Sequence, residues 1–150
     1  MNIEFERIIN NLPGLLEKFN KSPAKMWGDF KNLPQYGIYV FFENNKPIYV
    51  GRTKNFLRRL RQHGAKGSNH NSAPFAFNLA KNKLNKSHSF TRREMEKDPK
   101  FIKEFKNAKA RVRSMSYRVI EITDPIIQTI FEVYCALELK TKKYNNFETH

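Results

Sequence analysis

Two stretches decide the fold, Tyr36-Gly37-Ile38-Tyr39-Val40-Phe41-Phe42 and Pro47-Ile48-Tyr49-Val50-Gly51. Both are rich in β-branched and aromatic residues, which favour strands. Between them lies the polar tetrad Glu43-Asn44-Asn45-Lys46, whose residue types are typical of turns. Two short strands around such a turn predict a β-hairpin that carries Tyr39 and Tyr49 on neighbouring strands.

A helix is predicted directly after the hairpin, over residues 52–63. Its apolar residues recur at helical spacing, and Arg59 and His63 share one face because they are four residues apart. Residues 64–72 are rich in Gly, Asn, Ser and His, which predicts a mobile loop.

Helical patterns also flank the hairpin on both sides. Residues 3–19 have apolar positions at helical spacing, with an interruption predicted at Pro13-Gly14. Residues 73–84 predict a short helix with Ser72 as its cap. Asp98-Pro99 predicts the start of another helix, since Asp caps a helix and Pro suits its first turn.

The C-terminal third combines a strand with a long helix. Residues 115–122 alternate in a way that predicts a third strand. Asp124-Pro125 repeats the helix start signal, and the helix is predicted to run to about Lys143.

This order of elements predicts an α+β fold with a small three-stranded antiparallel sheet flanked by helices. The length of 150 residues suits a single domain, 1–150. Within it, residues 1–34 are interpreted as a helical N-terminal extension and residues 64–114 as a helical insert.

The charge balance favours a polyanionic partner. Lys and Arg total 28 and Asp and Glu total 14, which gives a net charge of +14. Such a surplus attracts nucleic acid phosphates and releases their counterions on binding. A membrane surface, or a basic face that merely contacts solvent, is the alternative.

The single cysteine, Cys135, excludes an internal disulfide framework and a zinc site built from thiolates. Residues 1–7 lack the features of a signal peptide, and no apolar run approaches the ~20 residues that span a bilayer. The expectation is a cytoplasmic protein with no membrane partner.

Glu132 stands out on the last predicted helix. From Pro125 to Leu137 this helix is apolar nearly all round, and Glu132 is its one charged residue. Because burial of an unpaired carboxylate is costly, Glu132 is expected to be paired with a cation, protonated or bound to a metal. A salt bridge to an arginine and a functional site both remain open.

Tyrosines and arginines are concentrated around the hairpin. Tyr36, Tyr39 and Tyr49 lie on or beside the strands, and four arginines follow within ten residues. Aromatic residues interleaved with arginine suit phosphate contact and base stacking. Tyrosine is also a good strand residue and basic helix faces are common, so the pattern alone does not decide.

At these residues the chain resembles the GIY-YIG nuclease superfamily. Gly37-Ile38-Tyr39 matches the first half of the motif, and Tyr49-Val50-Gly51 matches the second with Val in place of Ile. The helix with Arg59 follows at the spacing of that family. The resemblance covers residues 36–63 and 115–146, and it implies an endonuclease that acts on DNA.

The resemblance also implies roles for individual residues. Glu132 would bind the metal, Mg²⁺ with Mn²⁺ as a substitute, and Glu138 is a rival for that role. Tyr49 would be the general base with assistance from His63, which is itself a competing base. Asn146 competes with Asn145 for the family's asparagine. The implied catalytic set is Tyr39, Tyr49, Arg52, Arg59, His63 and Asn145. The implied nucleic-acid contacts are Lys54, Arg58, Arg61 and Lys66.

Two other functions are kept beside the endonuclease. One is a nucleic-acid-binding module of the same fold that does not cleave, which would be expected to lack Arg59 or Glu132. The other is an interaction protein whose basic surface binds a different polyanion. The sequence specifies neither the DNA target nor whether the protein is a monomer or a homodimer.

Overall fold

The computed structural model describes residues 1–84, 91–145 and 147, and it has the predicted α+β architecture. The elements in chain order are α1 (Ile3–Asn20), β1 (Lys25–Met26), β2 (Gly37–Glu43), β3 (Lys46–Thr53), α2 (Phe56–Gly64), α3 (Pro74–Lys83), α4 (Arg92–Lys97), α5 (Pro99–Arg113), β4 (Ser116–Glu121) and α6 (Pro125–Glu138).

The sheet has four antiparallel strands in the order β1-β4-β2-β3, so the prediction of three strands is wrong. The additional strand is β1, a two-residue strand that pairs with β4. Its pairing is extended by the Trp27 backbone N–H, which donates to the Met115 carbonyl. A strand of two residues is too short to show the alternation of apolar and polar residues that identifies strands in a sequence. Strand β1 forms because the chain after α1 pairs with β4.

The predicted hairpin is confirmed. Strands β2 and β3 are joined by Asn44 and Asn45, which have φ of 51° and 63°. A two-residue turn with positive φ at both positions matches the twist of the flanking strands, and asparagine tolerates that conformation. The register shifts between Phe41 and Phe42, so the end of the hairpin near the turn is irregular.

The two faces of the hairpin pack against different helices. On the aliphatic face, Ile38, Val40 and Val50 join a cluster with residues of α1 and α6. On the aromatic face, Tyr39 and Phe41 join a cluster with residues of α2, α3 and α5. Because successive strand residues point to opposite faces, each strand contributes to both clusters.

Three helix boundaries differ from the prediction. Helix α1 continues through Pro13, where an interruption was expected. Its apolar face keeps Ile8, Leu12 and Phe19 buried on both sides of the proline, which outweighs the lost backbone hydrogen bond. The prediction of Ser72 as the cap of α3 is wrong. The helix begins at Pro74, so the cap position is Ala73, which has no polar side chain, and the Ser72 hydroxyl bonds to Asn69.

Helix α6 ends at Glu138, well before the predicted end at Lys143. Lys140 has φ of 57°, and the Thr141 N–H reaches back to the Ala136 carbonyl at 3.0 Å. A left-handed residue followed by this backbone bond is the Schellman ending of a helix. The turn directs residues 141–145 back toward strand β3.

Candidate active site

A tyrosine and a histidine form a buried pair at the centre of the aromatic face. The Tyr39 hydroxyl lies 2.6 Å from Nε2 of His63, and their exposed fractions are 1% and 0%. Strand β2 supplies the tyrosine and α2 supplies the histidine. Nδ1 of His63 has no hydrogen-bond partner among the described residues. The pair is thus a local proton donor and acceptor inside an apolar cluster.

Gly51 makes room for this tyrosine. It faces Tyr39 across the hairpin, and a Cβ atom at Gly51 would lie 2.2 Å from Cζ of Tyr39. No real side chain tolerates such a distance, so any residue larger than glycine would displace the phenol. The last glycine of the hairpin sequence is therefore a spatial requirement of Tyr39.

Tyr49 lies beside this pair but is bound differently. Its ring stacks on Phe75 with centroids 4.4 Å apart, and it meets His63 edge-on at 5.5 Å. Its hydroxyl makes no hydrogen bond within residues 1–84 and 91–145. The imidazole that was expected to assist Tyr49 is hydrogen-bonded to Tyr39 instead.

Burial dominates the titration of all three groups. It raises the pKa of Tyr39 to about 12, while the charge of Arg59 acts in the opposite direction. Burial also raises the pKa of Tyr49, even further from its ordinary value, and lowers the pKa of His63 well below its usual range. For Tyr49, desolvation outweighs the charge of Arg59, which acts in the opposite direction. His63 is a neutral imidazole at pH 7.

Arg59 faces this cluster from α2. One terminal nitrogen (Nη1) donates to the Ser72 carbonyl at 3.2 Å, which orients the guanidinium from the loop before α3. Its positive charge lowers the pKa of Tyr39, Tyr49 and His63 alike. The predicted arginine is therefore adjacent to all three groups.

Glu132 approaches the same place from α6. Its side chain is 20% exposed, and burial raises the pKa of its carboxyl while the charge of Arg52 opposes that rise. Nε of Arg52 lies 3.3 Å from the carboxylate, and Nη1 of Arg52 also donates to the Thr129 hydroxyl at 2.8 Å. The negative charge of Glu132 raises the pKa of both Tyr39 and Tyr49, so it acts within the same site.

The salt bridge and the functional reading of Glu132 are therefore compatible. Arg52 is about half exposed and contacts one carboxylate oxygen. Glu138, the rival metal ligand, lies at the exposed end of α6.

The donor set suits a hard cation that keeps most of its waters. No group of three or more His, Cys, Asp or Glu residues that would hold a metal occurs in the described part of the chain. A single half-buried carboxylate, with water and substrate phosphate as further ligands, is a normal arrangement for Mg²⁺. Glu132 fits that role, whereas a zinc site would need more protein ligands.

Asn145 supports the site through the backbone. Its Oδ1 accepts from the Val50 N–H at 3.1 Å, and its Nδ2 donates to the Val50 carbonyl at 2.6 Å. Strand β3 is an edge of the sheet, so Asn145 supplies the hydrogen bonds that a further strand would make. It is a positioning residue for the segment between Tyr49 and Gly51. The competing Asn146 lies outside the described residues.

The predicted nucleic-acid contacts lie on and beside α2. Lys54, Arg58, Arg61 and Lys66 are all exposed. The sequence interpretation missed the roles of Phe75, which stacks on Tyr49, and of Thr129, which holds Arg52. Thr129 precedes Glu132 by three residues, a spacing that places the two side chains next to each other on one side of a helix. No comparable signal points to Phe75.

Comparisons with known proteins agree with this geometry. A family model described as the GIY-YIG catalytic domain matches residues 35–146. Neither the curated proteins nor the solved structures give a significant match. None of the helices in the described part of the chain is long and apolar enough to cross a membrane.

Proposed function

The chain belongs to the GIY-YIG catalytic domain family, and from this premise we propose that it is a metal-dependent endonuclease that hydrolyses phosphodiester bonds of DNA. One observation carries the proposal. Strand β2, helix α2 and helix α6 bring a buried phenol–imidazole pair, an arginine and a half-buried carboxylate together at the edge strand β3. Packing alone does not require these four kinds of group in one place.

Arg59 is proposed to bind the scissile phosphate. A guanidinium is always charged and offers parallel N–H donors that match phosphate oxygens. Its fixed position next to the tyrosines would stabilise the negative charge that develops as the phosphate is attacked. Arg52, which contacts Glu132, would balance the carboxylate until the substrate arrives.

Glu132 is proposed to hold the metal, which is Mg²⁺ with Mn²⁺ as a substitute. A bound divalent ion neutralises phosphate charge and stabilises the leaving oxygen. The support is the chemistry of the donor: an oxygen ligand, partly desolvated, with one exposed arginine as its counter-charge.

Proton removal from water is assigned to the Tyr39–His63 pair, and Tyr49 as base is the competing assignment. A phenol can take a proton only after its own has moved elsewhere. The Tyr39 hydroxyl lies 2.6 Å from Nε2 of a neutral imidazole, which accepts in the tautomer that carries its hydrogen on Nδ1, whereas the Tyr49 hydroxyl has no such partner among the described residues. In the proposed step the Tyr39 proton moves to Nε2 of His63, and the Tyr39 oxygen takes a proton from the attacking water. Burial opposes this transfer, so the step depends on positive charge beside the phenol, and the charge of Arg59 lowers the pKa of Tyr39.

The test is a supercoiled plasmid assay with Mg²⁺ and with chelator. Glu132→Gln keeps the side-chain volume and removes the charge, and Arg59→Ala removes the phosphate contact. Both are expected to lower the rate of nicking by at least about 10²-fold. The matched controls are Glu138→Gln on the same helix and Arg7→Ala, an exposed arginine on α1, which should retain the rate of nicking. Metal-independent nicking that all variants share would overturn the proposal.

The non-cleaving nucleic-acid-binding module is disfavoured by the completeness of the site. Arg59 and Glu132 are both present and both act on the two tyrosines. Salt-dependent DNA binding by the wild type, without cleavage at any Mg²⁺ or Mn²⁺ concentration, would establish that alternative. Equal affinity for DNA and for heparin-like polymers would instead point to a general polyanion binder.

A further inference from the structure

A cavity lies beside the active site, at the turn end of the hairpin. Its volume is about 270 Å³, near the lower end of the range for small-ligand sites, which is roughly 300–1,000 Å³. It is enclosed by the hairpin and by the turn that follows α6. The residues that matter here are Lys46, Ile48, Lys140, Thr141, Lys143 and Tyr144.

The cavity is positively charged. Its three lysines are exposed, and Glu43 is the one acidic residue of the lining. That carboxylate is already neutralised, because Arg111 binds both of its oxygens at 2.7 Å. The same contact lowers the pKa of Glu43, so the carboxylate stays paired and ionised. The charge that remains for a ligand comes from the lysines.

Thr141, one of the residues that line the cavity, has a buried hydroxyl. The residue is 2% exposed, and Oγ1 has no hydrogen-bond partner among the described residues. A buried hydroxyl without a partner is costly unless a bound group completes it. Its neighbour Lys140 is held in the left-handed region at φ 57°, a conformation that glycine would adopt more easily.

The cavity also adjoins the active site. Ile48 precedes Tyr49 on β3, and the ring of Tyr144 lies 6.1 Å from that of Phe75, which stacks on Tyr49. Lys46 is three residues before Tyr49, or about 10 Å along a strand. A DNA strand that passes the active site along β3 would therefore reach the cavity within a few nucleotides.

We propose that this cavity binds a backbone phosphate of the DNA strand, within a few nucleotides of the bond at the active site. Lys46, Lys140 and Lys143 neutralise the phosphate, and the Thr141 hydroxyl donates to one of its oxygens. The proposal rests on the proposed function, in that DNA is the substrate. The cavity would align the DNA strand, since phosphate contacts position a nucleic acid without recognising its sequence.

The first test measures DNA binding in chelator as a function of salt. The variant carries Lys46→Ala, Lys140→Ala and Lys143→Ala. The control carries Lys18→Ala, Lys21→Ala and Lys31→Ala, which remove the same charge from exposed positions outside the cavity. Loss of one phosphate contact should reduce the slope of log K against log salt by about 0.9 in the cavity variant and leave it unchanged in the control.

The outcomes distinguish failure of the proposed phosphate site from failure of the proposed endonuclease function. Equal changes in both triple variants would overturn the phosphate site and leave the endonuclease intact. A wild type that does not bind DNA would overturn both. A single uncharged methylphosphonate, placed in turn at each of the few nucleotides flanking the cleaved bond, should at one position weaken binding by the wild type and have no effect on the cavity variant. A similar loss in both proteins would place the contact elsewhere.

The second test isolates the hydroxyl. Thr141→Val keeps the branched shape and removes the unpartnered oxygen. The expected result is a severalfold loss of DNA affinity with an unchanged or higher melting temperature. A higher melting temperature with unchanged affinity would show that the hydroxyl has no ligand, and it would overturn its assigned role.

Discussion

The two faces of the β2–β3 hairpin have different roles. On the aliphatic face, Ile38, Val40 and Val50 are fully buried against α1 and α6 and carry no group that can react. On the aromatic face, Tyr39 and Tyr49 place hydroxyl groups beside His63 in a cluster that is also well packed. Alternate residues of the same strands thus supply stability to one side and chemistry to the other.

The difference lies in the hydrogen bonding, since both faces are packed. Ile38, Val40 and Val50 carry no polar group, so their contribution to the free energy of folding comes from apolar burial alone. The aromatic face buries the hydroxyl of Tyr39 and the imidazole of His63 away from water. Their burial costs free energy, but it fixes the geometry of the hydrogen bond between them. Substitutions of these aliphatic side chains should therefore lower stability, whereas substitutions of the hydroxyl and imidazole groups on the aromatic face should lower activity.

The largest effect on stability is expected from Phe131→Ala. Phe131 is fully buried in the aliphatic-face cluster, and removal of a buried ring costs about 3–5 kcal/mol in the free energy of unfolding. Urea denaturation measures it. Leu137→Ala on the same helix is the control, because Leu137 is 56% exposed and should change stability by no more than about 0.5 kcal/mol. Equal losses would contradict the assignment of this face.

Tyr39→Phe is expected to lower DNA cleavage by about 10²-fold or more, because it removes the hydroxyl that contacts His63. The free energy of unfolding should change by only about 1 kcal/mol, since one hydrogen bond is lost. Single-turnover cleavage and urea denaturation provide the two readouts. Tyr49→Phe is the comparison, and a larger loss for Tyr49→Phe would transfer the base to Tyr49.

Gly51→Ala should lower both the stability of the protein and its rate of DNA cleavage. The new Cβ would lie 2.2 Å from Cζ of Tyr39, and such overpacking costs about 1–3 kcal/mol. Cleavage should fall together with stability because the phenol is displaced. Gly67→Ala is the control, since nothing lies within 4 Å of its Cβ position. If the Gly51→Ala protein had wild-type stability, the hairpin or the Tyr39 ring could shift to accommodate the added methyl group, and the spatial requirement for glycine would be contradicted.

The pH dependence of stability should reflect His63. Burial holds the pKa of His63 well below its usual range, so the folded chain stays neutral where the unfolded chain binds a proton. Stability from this group is fully present above about pH 6.5 and is lost as the pH falls toward the folded pKa, at up to about 1.4 kcal/mol per pH unit. Urea denaturation of wild type and His63→Phe between pH 7 and 5 tests it. Identical slopes would contradict the buried neutral imidazole.

The smallest effect concerns Lys140. Lys140→Gly relieves the left-handed conformation at φ 57° and should stabilise the chain by about 0.5–1 kcal/mol. DNA affinity should fall at the same time, because a cavity lysine is lost. Lys142→Gly, at an exposed neighbouring position, should give no stabilisation. Thermal denaturation distinguishes the two, and a destabilised Lys140→Gly protein would contradict the Schellman ending of α6.

Local patterns determined much of this molecule. Strand propensity and the Asn44-Asn45 turn predicted the hairpin, and helical spacing placed Arg59 and His63 on one face. One charge in an apolar run identified Glu132. These features were readable because each depends on residues close together in the chain.

Tertiary structure decided the rest. No local pattern shows that His63 pairs with Tyr39 and not with Tyr49, since the choice depends on how α2 lies across the aromatic face. Asn145 completes an edge strand 95 residues away in sequence. Strand β1 and the early end of α6 likewise follow from long-range packing and backbone geometry. Burial, and therefore the pKa of each site residue, arises only when these distant segments exclude water together.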